Sequence, residues 1–363
     1  MQSATWVSAA FVLCIAPASA QVAPAHDPTK PYPAYTAPRL AIGQPDLQGF
    51  WSNATLTNTS RPSELGERLA YTEEEVARIE TARIAAVTAS TKRVDVSVVE
   101  QALGPGEAYN DYWKDPGYTV MRVNGQPRTS LLTTPTGRAP TAKPGAVAAQ
   151  TASQPEFFKL LGESPIPRGA AYDNPESSGL GERCIIGFGR NGGPPMFANG
   201  FSNNTYQIVQ SPGAIVIETE MIHDARIVRL NSRHRSDDIR PYFGDSIGWW
   251  EGDTLVVETA NIPQVQAYLG AWKTLKVTER FKRVAEGRLH YAFQIEDKSI
   301  WDAAWGGEYE FNLLKGGQRV HEYACHEGNY ALPGILAGAR VQEAKTAQAA
   351  ALGQATGAAR SGH

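Results

Sequence analysis

Two short stretches of the sequence concentrate side chains that can transfer protons. The first is Glu220-Met221-Ile222-His223-Asp224-Ala225-Arg226. An imidazole titrates near neutrality, a neighbouring carboxylate can orient it, and a guanidinium can hold an anion. A turn at this point would bring His223, Asp224 and Arg226 together as a catalytic set. The alternative is a hydrogen-bonded corner with a structural role only.

The second stretch, residues 319–330, begins with the alternation of a strand and ends in a thiol, an imidazole, a carboxylate, an amide and a phenol. We expect His326, Glu327 and Tyr330 to form an acid–base or hydrogen-bonding set that opposes the first one. On a strand, His321 and His326 would face opposite sides.

A metal site is a weaker interpretation of the same residues. His223, His234, His326 and Glu327 would have to meet in space to bind zinc or copper, and nothing in their spacing requires this. The segment around Cys325 is not the helical H-E-x-x-H motif. We keep a metal site only as this alternative. No organic cofactor is expected.

The elements that position these residues are predicted to be strands. From residue 203 on, short runs with strand character alternate with turn residues every 8–15 residues or so, with no helix between them. This pattern predicts a mainly β fold: an antiparallel β-barrel over 203–333 of lipocalin-like (calycin-like) layout, or two packed sheets. The runs are Thr205–Gln210, Ala214–Glu220, Ala225–Leu230, Ser246–Trp250, Thr254–Thr259, Thr274–Val284, Arg288–Glu296, Glu308–Leu314 and Arg319–Cys325.

Aromatic and polar residues of these runs are candidates for binding a substrate. Trp249 and Trp250 precede a turn and must point to opposite faces, so one can be core while the other walls a cavity for an aromatic ligand. Asn204 and Tyr206 stand at a strand start, where they can rim a pocket or cap a turn. A purely structural role, in core packing or turn capping, is the alternative for all four residues.

The remaining chain is predicted to surround the barrel. Residues 21–45 form a Pro-rich leader, and residues 46–202 an irregular wrapping region with a short strand near Trp51. The region has one helix at about 72–88, opened by a capping box. Residues 334–363 are expected to form a short helix and a disordered tail.

One motif of the wrapping region is rejected as a nucleotide site. Gly187-Phe188-Gly189-Arg190-Asn191-Gly192 matches G-x-G-x-x-G. A dinucleotide site needs a helix that opens on the third glycine, and the Gly193-Pro194-Pro195 that follows forbids one. We expect a Gly-rich loop that can rim a cavity.

The N-terminus indicates export. Residues 1–20 carry no charged side chain, residues 5–17 are mostly small and apolar, and Ala18-Ser19-Ala20 fits the rule for signal-peptide cleavage. The apolar run is too short to cross a membrane. A signal peptide at 1–20 and a periplasmic or secreted location are therefore predicted, against the alternative of a mildly apolar, disordered N-terminus.

Cleavage would leave two of the three cysteines, Cys184 and Cys325. In an oxidising compartment an even pair far apart in sequence predicts a disulfide. The alternative is two separate buried thiols. A disulfide would remove Cys325 as a metal ligand or nucleophile and would hold His326 beside it.

Bulk composition narrows the partners. The 363 residues are 42% hydrophobic and 20% charged, with a net charge of −3, so nucleic acid and anionic membrane surfaces are not indicated as partners. No P-loop and no nucleophile elbow is present.

Several stretches resemble a family of mostly uncharacterised exported bacterial proteins. The resemblance spans most of the mature chain and implies a shared fold, while it brings no known reaction. In layout the β region is similar to lipocalin-like barrels, by fold-level analogy. The stretches are 45–51 (PDLQGFW), 182–184 (ERC), 203–210 (NNTYQIVQ), 220–226 (EMIHDAR), 244–246 (GDS), 250–259 (WEGDTLVVET) and 322–330 (EYACHEGNY).

These observations together predict an exported, cofactor-independent acid–base enzyme, a lyase or next a hydrolase, that acts on a small apolar or aromatic molecule. This function requires both histidine clusters to share one cavity. The rival interpretation is a lipocalin-like periplasmic binding protein, with a pocket inside the barrel and the histidines held in hydrogen bonds outside it. The substrate and the oligomeric state are not encoded in any motif.

Overall fold

The structure is a computed structural model that describes residues 26–90, 116–146, 175, 181–187, 190–198 and 202–360. The predicted signal peptide, the first five residues of the leader and the centre of the Gly-rich motif lie outside these residues. No helix among them has both the length and the apolar character needed to cross a bilayer.

The described residues form strands, three α-helices and short 3-10 turns at 63–65, 221–223 and 264–266. The helices are α1 Glu73–Ser90, α2 Cys325–Gly328 and α3 Ala331–Arg360. The strands are β1 Gly49–Ser52, β2 Arg122–Val123, β3 Gln126–Pro127, β4 Thr205–Gln210, β5 Ala214–Thr219, β6 Ala225–Leu230, β7 Asp245–Glu251, β8 Thr254–Ala260, β9 Lys276–Ala285, β10 Arg288–Glu296 and β11 Trp305–Leu313.

Nine of these strands close into a barrel in the order β1-β11-β10-β9-β8-β7-β6-β5-β4. The predicted mainly β barrel class is confirmed. Neighbouring strands are antiparallel except β6 and β7, which are parallel. A parallel pair needs a longer crossover than a hairpin, and residues 231–244 provide it.

The predicted last strand, residues 319–325, is wrong. That segment carries no strand assignment and runs into α2. The barrel is closed instead by β1, whose Trp51 pairs with Leu313 of β11 on one side and with Tyr206 of β4 on the other. Barrel closure therefore joins the start of the wrapping region to the last strand of the β region.

The barrel interior is filled by aromatic side chains. Alternation along each strand points every second residue inward, and Tyr291 is fully buried there. Its ring centroid lies 4.8 Å from that of Tyr309 and 4.9 Å from that of Phe281. Tyr206 and Phe311 pack edge to face with centroids 5.2 Å apart.

Residues 190–198 enter one part of this interior and bond to the buried phenols. The Met196 amide donates to the Tyr291 hydroxyl at 3.0 Å, and the Tyr309 hydroxyl donates to the Met196 carbonyl at 2.5 Å. The Asn53 amide reaches the hydroxyls of Tyr206 and Tyr309 at 3.3 and 3.4 Å. These bonds satisfy polar groups that would otherwise be buried without partners.

The described parts of the wrapping region between β1 and residue 147 include a helix and a segment that packs along β11. Helix α1 begins at the predicted capping box, where the Thr72 amide donates to Glu75 Oε2 at 2.8 Å and the Glu75 amide to Thr72 Oγ1 at 3.2 Å. The segment 116–146 buries Leu131 and Leu132, and the Glu308 amide donates to the Leu131 carbonyl at 2.9 Å.

The C-terminal helix is longer than predicted. Helix α3 runs over Ala331–Arg360 where a short helix and a disordered tail were expected. None of its side chains up to Ala351 is buried. Its many alanines and glutamines support a helix by intrinsic propensity rather than by packing.

Candidate active site

A cleft of about 680 Å³ lies outside the barrel, at the turn between β5 and β6. It brings together the two clusters singled out in the sequence, because His223 and Asp224 line one part of it and His326 and Glu327 another. The other lining residues are Cys184, Ile185, Ile222, Ala225, Tyr242, Phe243, Glu322, Tyr323, Ala324 and Cys325. Among the residues that the structure describes, no Lys or Arg lines this cleft.

The turn between β5 and β6 has an unusual backbone. Ile222 and His223 both have left-handed φ angles, 59° and 47°. A branched residue rarely adopts this conformation, and such strain concentrates at functional sites. The Thr219 amide closes the turn by donating to the Asp224 carbonyl at 2.8 Å. As a result Ile222 is buried beneath the turn while His223 is exposed at the cleft.

The carboxyl of Asp224, in the cleft lining, has a raised pKa. Burial raises the pKa of its carboxyl from 3.8 to about 6, against the opposing effects of a hydrogen bond from the Gly187 backbone and the charge of His223. A carboxyl of this pKa exchanges protons readily near neutrality. Asp224 is thus suited to serve as an acid or a base in the cleft.

A disulfide between Cys184 and Cys325 fastens the wall that carries His326 and Glu327, as predicted. The Cα atoms are 5.7 Å apart. Both cysteines pack in a small apolar cluster with Met221, Ile222 and Tyr323, separate from the barrel core. The disulfide therefore packs this wall against the turn that carries His223.

Two hydrogen bonds also hold the C-terminal segment, which we define as residues 321–330. The His321 amide donates to Glu220 Oε2 at 3.3 Å, and Glu220 is buried and also bound by Asn203 at 2.7 Å. The Asn329 side chain donates to the Glu182 carbonyl at 2.7 Å. These bonds flank the disulfide and orient the segment along the cleft.

An aromatic wall was not predicted. Tyr242 and Phe243 come from the crossover connection, with ring centroids 5.0 Å apart and planes nearly perpendicular. Gly192 makes room for them, since a Cβ there would lie 2.6 Å from Phe243 Cε1. The described residues of the Gly-rich loop line a separate small cavity of about 10 Å³ and do not line the cleft. The available sequence signal was two adjacent aromatics in an otherwise charged connection.

Arg226 was wrongly grouped with His223 and Asp224. It is the second residue of β6 and points into the barrel, where its side chain is 2% exposed. There it binds Glu279 at 2.5 and 3.0 Å, and the Tyr291 hydroxyl donates to the same carboxylate at 2.8 Å. Asp224 lies in the turn before β6, whereas Arg226 is held inside the barrel by Glu279 and does not line the cleft, so it cannot hold an anion there.

The other predicted site residues lie elsewhere. Tyr330 is 83% exposed and does not line the cleft. Asn204 and Tyr206 are buried in the fold, bonded to Asn191 at 3.3 Å and Asn53 at 3.3 Å respectively.

The tryptophan pair is also remote from the cleft lining. Trp249 donates to Glu251 at 3.1 Å, and Trp250 packs against the barrel core. For these two and for Asn204 and Tyr206, packing and turn formation describe the observed contacts.

The structure separates the proposed metal ligands. His234 lies between Asp245 and Glu258, at 3.0 and 3.2 Å, and does not line the cleft. Among the described residues no group of three or more His, Cys, Asp or Glu side chains is arranged to hold a metal ion.

Fold and site together define a mainly β barrel protein with an external cleft fastened by a disulfide. Comparison with protein-family models, with curated proteins and with solved structures finds no match to this chain.

Proposed function

We propose that the cleft is the active site of an exported, cofactor-independent acid–base enzyme that acts on a small apolar or aromatic molecule. A lyase is the favoured class, with a hydrolase second. The main support for the proposal is that one cavity is lined both by His223 and Asp224 and by His326 and Glu327. The pKa of Asp224 in this cavity is raised to about 6. Aromatic side chains beside these groups suit an apolar substrate.

Elimination needs two proton transfers, and the cleft offers groups for both. One group of the pair His223 and Asp224 accepts a proton from carbon, and the electrons of that C–H bond form the new double bond. The bond to the leaving group breaks at the same time, and His326 or Glu327 donates a proton to that group. In a hydrolase the same pair would instead take the proton of an attacking water.

The rival binding function requires a ligand inside the barrel. The interior positions around Tyr291 are occupied by packed rings and by the Arg226–Glu279 pair. A ligand there would have to displace this packing, which protein cores resist. This argues for the outer cleft as the ligand site.

The test is a turnover screen followed by matched variants. β-Hydroxy carbonyl compounds and esters, each with aromatic or alkyl groups, are incubated with the protein, and products are identified by mass spectrometry. We expect His223→Gln, Asp224→Asn and His326→Gln each to lower kcat by about 10²–10⁴-fold. For the natural protein, kcat/KM should rise with increasing pH, and the midpoint of this rise should lie near the pKa of Asp224, about 6.

His321→Gln is the matched control, since His321 is an exposed residue of the same segment that does not line the cleft. It should leave turnover unchanged. Unchanged turnover in both His223→Gln and His326→Gln, with folding verified by circular dichroism, refutes the assignment.

A further inference from the structure

A second cavity adjoins the cleft. It measures about 260 Å³ and shares Ala225, Tyr242 and Phe243 with the cleft lining. We call it the side chamber; its remaining lining is Arg226, Ile227, Arg229, Arg235, Pro241, Gly244, Asp245 and Ser246. The two cavities therefore meet at one aromatic wall.

The side chamber differs from the cleft in chemistry. Ile227 points outward from β6 and is 61% exposed, so it gives the chamber an apolar surface. Arg229 and Arg235 bring two positive charges against the single carboxylate of Asp245, while the guanidinium of the third arginine, Arg226, is turned into the barrel against Glu279. The cleft has the opposite character, with three carboxylates, Asp224, Glu322 and Glu327, in its lining.

The two arginines are not equally engaged. Arg229 donates to both oxygens of Asp245 at 2.9 Å and to Ser232 at 2.8 Å, so its guanidinium is bound within the fold. The Arg235 guanidinium forms only a long ion pair with Asp245, at 3.6 Å and beyond hydrogen-bonding distance, and its side chain is 45% exposed.

Asp245 has little capacity left for Arg235. It already accepts hydrogen bonds from His234 at 3.0 Å and from the Arg235 backbone amide at 2.8 Å, besides those of Arg229. A guanidinium has five donors in a planar fork that matches a carboxylate. Arg235 is thus placed to bind an anionic group that enters the chamber.

We propose that the side chamber is the subsite for a carboxylate at one end of an elongated substrate, with Arg235 as the specificity-determining residue. The apolar body then lies against Ile227, Tyr242 and Phe243, and the reacting end lies in the cleft. This inference rests on the proposed function for its reacting end. The acidic lining of the cleft excludes the opposite orientation, because like charges repel at short range.

The test measures binding rather than turnover. Isothermal titration calorimetry at about pH 7.5 and low salt compares three probes of equal length: 4-phenylbutanoate, 4-phenylbutan-1-ol and 4-phenylbutan-1-amine. We expect the carboxylate to bind the full-length protein about tenfold more tightly than the alcohol, as one charge-assisted hydrogen-bonded pair gives, and the amine to gain no such advantage. High salt should reduce the preference.

Arg235→Gln should abolish the preference for the carboxylate. Arg233→Gln is the matched control, because it removes the same charge from the same connection at an exposed residue that lines neither cavity. Ile227→Glu, at an exposed strand position, should also abolish the preference by placing a negative charge in the chamber.

The subsite is refuted if natural protein binds carboxylate and alcohol equally, or if Arg233→Gln loses as much preference as Arg235→Gln. Asp224→Asn separates this outcome from failure of the proposed function. It should lose turnover and keep the preference for the carboxylate. Retained turnover with an intact preference would overturn the catalytic assignment alone.

Discussion

Asp224→Asn should make the protein more stable near neutral pH, while the proposed function predicts that it lowers kcat by about 10²–10⁴-fold. Burial raises the pKa of Asp224 from 3.8 to about 6. Between these pH values the native carboxyl retains a proton that the unfolded chain has released, so the free energy of unfolding falls as pH rises through this window. Asparagine has no charge to bury, and its carbonyl oxygen can still accept a hydrogen bond.

The size of the gain follows from the shift. Moving a pKa by about two units corresponds to roughly 3 kcal/mol for a fully desolvated group. Asp224 is only half-buried and opens on the cleft, so solvent screening reduces this figure to about 1–2 kcal/mol. We expect Asp224→Asn to gain that amount at about pH 7.5 and little at about pH 3.5, where the natural carboxyl is mostly protonated in both states.

Asp245→Asn is the matched control of opposite sign. Burial alone would raise the pKa of Asp245, yet hydrogen bonds from the Arg235 backbone, His234 and Arg229 outweigh burial and hold that pKa below 3.8. The native state is therefore stabilised by this carboxylate above pH 4 or so, and the stabilisation is lost as pH falls through the lowered pKa. Asp245→Asn should lose stability near neutrality, where Asp224→Asn gains it.

Urea unfolding followed by circular dichroism at several pH values measures both variants, with a constant m-value as the check on two-state behaviour. Two results would contradict this prediction: Asp224→Asn is less stable than the natural protein at about pH 7.5, or its stability difference does not vary between about pH 3.5 and 7. Either result would mean that Asp224 is not a desolvated carboxyl and would remove the physical basis for its proposed role as acid or base.

Two further predictions concern the barrel and the disulfide. Arg226→Met leaves the buried carboxylate of Glu279 without its ion pair and should lower the free energy of unfolding in urea by about 3–5 kcal/mol. As the control, Arg280→Met removes an exposed ion pair on the adjacent residue of β9 and should change that free energy by less than about 1 kcal/mol. Equal effects of the two substitutions would contradict the burial argument. Replacing Cys184 and Cys325 by Ser opens a loop with a sequence separation of 141 residues. The chain-entropy model predicts that this lowers the free energy of unfolding by about 4–5 kcal/mol. Amide exchange should then accelerate in residues 321–330 first, and unchanged exchange there would show that the disulfide does not hold the segment.

The strand pattern made the barrel predictable, but not its closure. Alternation and turn residues located β4 to β11 closely. The same reasoning assigned a strand to residues 319–325, because alternating side chains also occur in extended segments outside sheets. Only pairing shows that Trp51, which lies far earlier in the chain, fills the gap between β4 and β11.

The candidate site divides in the same way. The sequence identified His223, Asp224, His326 and Glu327 by residue type. It could not show that the side chain of Arg226 points inward. A shift of one residue in the pairing register of β6 would move every side chain of the strand to the opposite face of the sheet.

By itself the sequence determined which chemistry this chain carries: two clusters of imidazole and carboxylate, a cysteine pair and a β-rich pattern, all of which are local properties. Only the tertiary structure decided that both clusters share one cleft and that Tyr242 and Phe243 form its wall. It also decided that Arg235, rather than Arg226, has a guanidinium available beside that wall. The reason is that convergence depends on strand order, on a crossover connection and on a disulfide between residues 141 positions apart, and these pairings are fixed by packing over the whole chain rather than by any local pattern.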